Sequence, residues 1–142
     1  MNGAKNMAFQ YHCAGFHCAE AVLKAVLEIH GGTSEDIPRA ATAFGSGIGR
    51  SKQEICGGLS GAFIAIGTLH GRTHAGMDWT YVSELAAKLR KKFIQEYGTT
   101  NCGTLLEAFG PQENMMRCKQ LSGEIAKMAV DILSTEDKLQ EE

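Results

Sequence analysis

No two of the five cysteines in this 142-residue chain form a CxxC pair. That removes the close ligand pairs of structural zinc sites and the usual dithiol motif of disulfide oxidoreductases. A basic excess is also missing. Fourteen Lys and Arg against sixteen Asp and Glu give a formal net charge of −2, too little positive charge to neutralise phosphates, so nucleic acid is not an expected partner. The one basic run, Lys88 to Lys92, is offset by Glu84 and Glu96 at helical spacing and reads as a solvated helix face. Long apolar runs are absent: Ala62 to Leu69 is far short of the roughly 18–20 residues of a membrane span. The opening MNGAKNMAFQ has no apolar h-region, which predicts no secretory signal and a cytoplasmic protein with reduced thiols.

Strand patterns are scarce as well. No run alternates with period two for long enough to propose a sheet, and the apolar residues recur at helical spacing instead. The expected helices begin with Ala4 to about Cys13, which Gly15 ends, followed by His17 to His30 with Cys18, Val22, Val26 and Ile29 on one face. Ser34, followed by Glu35 and Asp36, is expected to start a third helix that reaches Phe44, with Pro38 in its first turn. A fourth is expected from about Lys52 to His70. Its Gly57, Gly58, Gly61, Ala62 and Ala65 would weaken it in isolation, and they fit a close approach by another backbone or a cofactor. Trp79 to Tyr97, capped by Asp78 and closed by Gly98, is the fifth. A short sixth begins at Cys102 behind Thr99-Thr100-Asn101, and Gln112 to Leu133 is the last. Residues 134–142 form a polar tail expected to fray. At 142 residues, with 44% hydrophobic composition, this predicts an all-α, single-domain bundle of about six or seven helices, long enough to fold without disulfide staples.

Four cysteines, Cys18, Cys56, Cys102 and Cys118, fall at a helix start or on an apolar helix face. A thiol in the first turn of a helix faces unpaired N–H groups and the positive dipole end, which favour the thiolate, the form that attacks and that binds metal. Cys18 after His17 and Cys102 after Asn101 are so placed. Cys56 follows the glycine loop Gly45 to Gly49 and lies near Arg50 and Lys52, so a lowered pKa is expected there too. Cys13 does not fit the pattern. The glycine loop has no strand before it and no GK[ST] after it, so it reads as a turn shaping the cysteine site, not as a nucleotide loop. His12-Cys13 and His17-Cys18 repeat, but Gly15 interrupts any shared helix face, so a second metal site there is not expected. His70 and His74 read as surface residues of a loop.

The segments FHCAEAVLKAV, FGSGIGRSKQEICGGLSGAFIAIGTLHG and YGTTNCGTLL, with the lone Cys118 beyond them, resemble the C_GCAxxG_C_C family of redox-active proteins over nearly the whole chain. The chain departs from the family pattern at Gly58, where alanine is usual, and at His17, where asparagine is common. The resemblance implies redox activity carried by Cys18, Cys56, Cys102 and Cys118, and a related domain in some cytochromes is associated with an iron–sulfur cluster. The expectation is therefore that these four thiols converge on one site as cofactor and metal ligands, most simply for an iron–sulfur cluster that passes electrons to a redox partner protein, with a homodimer as one arrangement. Their spacings, 38, 46 and 16 residues, match no ferredoxin run. Two other readings stand beside it: a thiol–disulfide oxidoreductase using one cysteine pair, and a metal-binding module without turnover, zinc included. The plainest alternative is that the cysteines are small core residues.

Overall fold

Helix α1, Asn2–Cys13, ends in a Schellman turn that sets up everything after it. A computed structural model describes residues 2–31 and 37–141 of the chain, with side chains described for 3–31 and 38–135. The N–H of Phe16 donates to the Tyr11 carbonyl and that of Gly15 to the His12 carbonyl, with Gly15 at φ +120°. Tyr11 and Phe16 then meet edge to face, the apolar contact that accompanies this turn.

Beyond it run α2 (Cys18–Ile29), a 3-10 helix (Ile37–Phe44), α3 (Gly57–His70), α4 (Thr80–Tyr97), α5 (Cys102–Phe109) and α6 (Met116–Glu141). Among the described residues no strand occurs, only one isolated antiparallel bridge between Ile55 and Asn101. The all-α expectation is met.

α2 is the central element, packed against α1, α3, α6 and the 3-10 helix. Val22, Leu23, Val26 and Leu27 are buried on it, each contributing about 1.5–3 kcal/mol of hydrophobic stabilisation. The small residues of α3 let it lie directly on α2 and α6. A methyl group at Gly61 would strike the carbonyl of Ala19, and one at Gly58 would come within 2.8 Å of Ile125 Cδ1. It is backbone and core that approach here. α4 buries Leu85, Leu89 and Phe93 on one face and ends at Gly98 in the left-handed conformation.

Several boundaries move. The fourth helix starts at Gly57, not near Lys52, because residues 51–56 form an irregular segment pinned to residues 100–102. The last helix starts at Met116, behind a turn in which Asn114 and Met115 both have positive φ. It continues to Glu141, so the expected frayed tail is helical backbone instead. Trp79 precedes α4, and Asp78 Oδ1 accepts from both the N–H (3.1 Å) and the hydroxyl (2.7 Å) of Thr80. The predicted start at Ser34 lies outside the described residues. His70 ends α3 and stacks edge-on against Tyr81 rather than lying in a loop.

Candidate functional site

Each of the four cysteines is held at the beginning of a helix by a different local device. Cys18 is the first residue of α2, and His17 is its N-cap. The His17 ring takes the place of the usual serine: Nδ1 accepts the Glu20 N–H at 3.4 Å, and the Glu20 carboxylate accepts the His17 N–H at 3.2 Å, a reciprocal capping box. The other ring nitrogen, Nε2, donates to the Thr42 carbonyl at 2.8 Å, while the Thr42 hydroxyl donates to Glu20 at 2.6 Å. A neutral ring therefore carries its proton on Nε2. Gly45 is required beside it, since a methyl there would sit 2.8 Å from the imidazole.

Cys56 is the N-cap of α3 and Cys102 the first residue of α5, and the bridge around Ile55 and Asn101 ties them together. The Cys56 N–H donates to the Thr100 carbonyl at 2.7 Å, and the Cys102 N–H donates to the Glu54 carbonyl at 2.8 Å. Asn101 serves both sides: its Oδ1 accepts the Thr104 N–H at 2.9 Å, capping α5, and its Nδ2 donates to the Gln53 carbonyl at 2.8 Å. Cys118 lies in the first turn of α6. There Gln112 Oε1 accepts its N–H at 2.9 Å and Gln112 Nε2 donates to its sulfur at 3.4 Å.

All four line one pocket, a cavity of about 80 Å³. Cys18, Cys56, Gly57 and Gly58, at the starts of α2 and α3, line it. One face of α5 (Cys102, Leu105, Leu106, Phe109) and one of α6 (Cys118, Leu121, Ser122, Ile125) form the walls. Cys13 is exposed and lies outside it; all five thiols are free of disulfides.

The thiols are not equivalent. Burial pushes the Cys18 thiol up, but it is outweighed by the His17 side chain, by the backbone N–H groups of Ser46 and Ala19 and by the His17 charge, so Cys18 sits below its ordinary value. His17 is raised in return, first by its bond to Cys18 and against its own burial. Cys56 goes the other way. It is 6% exposed, and burial, aided by the Cys18 charge, lifts it to about 12 despite the Leu59 and Gly58 N–H groups. Burial and then the Cys18 charge raise Cys102; burial also raises Cys118, against the Gln112 bond. The expectation of low values at Cys56 and Cys102 is thus corrected: desolvation exceeds what the helix start and nearby cations supply. Of the four, only the thiol with an imidazole beside it is lowered.

The glycine loop explains the Ser46 contact. Ser46, Gly47, Ile48, Gly49 and Arg50 all have φ between 52° and 72°. At the three non-glycine positions this costs about 1–2 kcal/mol each, strain of the kind that collects at functional sites. Gly47 packs on Cys102, whose Cβ would be 2.7 Å from any added methyl. The loop thus touches two of the thiols.

His12 and Ser122 also line the pocket, and sequence reasoning did not find them as a pair. They are 110 residues apart, with His12 Nδ1 3.0 Å from Ser122 Oγ, and burial drags His12 down to about 4. Among the described residues no three His, Cys, Asp or Glu side chains stand together as they would to hold a metal ion. Among the same residues no helix is long and apolar enough to cross a membrane.

No curated protein and no solved structure matches the chain. The family model that does match covers residues 16–132 and takes in all four pocket cysteines while leaving out Cys13. The chain belongs to the C_GCAxxG_C_C family, described as "putative redox-active protein".

Proposed function

We propose that this protein exchanges electrons through its thiols, with Cys18 as the attacking group. One observation carries the reading: of four thiols lining a single cavity, Cys18 alone is lowered, and its charge raises the other three. The Cys18 thiolate attacks one sulfur of a disulfide; that S–S bond breaks, a mixed disulfide forms and one thiolate leaves, taking the proton of the His17 imidazolium. Cys102, half-buried and with Cys18 as its foremost charged neighbour, then loses its proton to solvent and attacks the Cys18 sulfur. The second substrate thiolate departs and takes a proton from solvent, and a Cys18–Cys102 disulfide remains. The protein has lost two electrons, and the substrate disulfide has gained them as two thiols.

The test is peptide mapping under non-reducing conditions after one equivalent of a disulfide oxidant. A Cys18–Cys102 linkage that vanishes in C18S is the expected result. Oxidation that proceeds unchanged in C18S would sink the reading.

An iron–sulfur cluster is the second reading, supported by the four-thiol donor set on four separate helices facing one cavity. The donors as placed do not form a metal-ion site, and the same holds for zinc, so no step is routed through either. Anaerobic purification with a visible spectrum and iron, sulfide and zinc assays separates the readings. Brown protein with matched iron and sulfide favours the cluster; colourless, metal-free protein with titratable thiols favours the dithiol.

A further inference from the structure

α5 is set apart from the rest of the bundle. Among the described residues its backbone makes few close approaches to the other helices; Leu105 is its only buried side chain, and Phe109 packs at the edge of the core. What holds it is the bridge at its N-terminus, the Asn101 bonds, Gly103 pressed against the Lys52 carbonyl, and Phe109 under the Arg117 guanidinium at 4.6 Å. Yet its inward face is apolar. Leu105, Leu106 and Phe109 look across the cavity toward Leu121 and Ile125 of α6. Two apolar helix faces that ordinarily close on each other are kept apart here, and a void between them forfeits dispersion contacts that an apolar guest would restore.

Charge alone does not select the guest: among the described residues no carboxylate lines the cavity, and Lys52, the His17 ring and the Cys18 thiolate all do.

We propose that the space between α5 and α6 is the substrate site, and that it takes a small apolar disulfide with one alkyl arm against Leu105, Leu106 and Ile125 and its sulfurs at Cys18. This rests on the thiol-exchange reading above and adds the class of substrate. It also accounts for a thiol-bearing pocket whose walls are mainly hydrocarbon.

The experiment compares dibutyl disulfide with bis(2-hydroxyethyl) disulfide, whose S–S bonds are alike and whose arms are not. Their rate ratio with the protein is divided by their ratio with free dithiothreitol. A quotient of about tenfold or more is expected, since each buried methylene contributes about a factor of four. Leu106 is half-buried on the wall, and L106Q should bring the quotient toward one. Binding is read separately, without chemistry, from methyl NMR shifts of Leu105, Leu106 and Ile125 on adding dibutyl sulfide, an unreactive thioether. A quotient near one in the wild type, or methyl signals that do not move, overturns the substrate assignment. Methyl shifts together with rates unchanged in C18S would keep the apolar site and discard the thiol-exchange reading on which its substrate role depends.

Discussion

The backbone N–H of Cys56 donates to the Thr100 carbonyl at 2.7 Å, and this one bond joins two cysteine-bearing loops that lie 46 residues apart at their thiols. With its partner from Cys102 to Glu54 it fixes the start of α3 against the start of α5. The pocket exists because these two helix beginnings are clamped together while the body of α5 stands off.

His17 controls the reactivity of Cys18. Removing its ring in H17A takes away the hydrogen bond and the charge that offset burial, so the Cys18 pKa should rise. Because the thiolate predominates only above its pKa, the pH profile of iodoacetamide alkylation at Cys18 should move to higher pH. For every whole pH step by which the midpoint climbs, the rate at neutral pH should fall about tenfold. H17N, which can still cap α2, should keep the helix but not the low midpoint.

Acid should loosen the fold through His12. Its folded pKa is about 4 against an ordinary 6.5, so below 6.5 the unfolded chain takes up a proton that the folded one refuses. Stability is therefore lost as pH falls from 6.5 toward 4, by about 1–2 kcal/mol after allowing for solvent screening of a partly exposed ring. Urea midpoints measured at pH 7 and pH 4.5 should show the drop, and H12Q should flatten it.

The contact of α3 with α2 tolerates no side chain at Gly61. G61A forces a methyl group onto the Ala19 carbonyl and should cost about 2–3 kcal/mol in chemical denaturation. Gly67, on the same helix with nothing near its added methyl, is the control; G67A should be neutral or mildly stabilising.

Asn101 joins a helix cap to a loop clamp. N101A loses the cap of α5 and the bond to Gln53, at a cost of about 1–2 kcal/mol. Local loosening should show as faster amide exchange across residues 100–105 and faster alkylation of Cys102, with Cys18 unaffected. N101D restores the acceptor for Thr104 but not the donor to Gln53, so it should recover only part of the loss.

Much of this architecture is legible in the chain. The apolar spacing of Val22 and Val26, the stripe Leu85, Leu89 and Phe93, and the stops at Gly15, Gly31, Gly98 and Gly110 are local patterns that act through the nearest turns of backbone. The positions of Cys18 and Cys102 after a capping residue can be read in the same way. The start of α3 cannot. Gln53 to Cys56 have ordinary side chains, and what keeps them out of a helix is hydrogen bonding to Thr100, Asn101 and Cys102. The start of α6 is equally hidden, because Gln112 reads as a helical residue yet serves as the external cap of Cys118.

By itself the sequence determined most of the helices and placed Cys18 and Cys102 at helix starts, since both depend on neighbours within about one turn. Only the tertiary structure decided what those thiols are. A thiol's proton affinity depends on burial and on charges that arrive from distant parts of the chain. Desolvation lifts Cys56 to about 12, while the Ser46 N–H, together with the His17 ring that Thr42 anchors, brings Cys18 down. Distance in space, not in sequence, sets these energies.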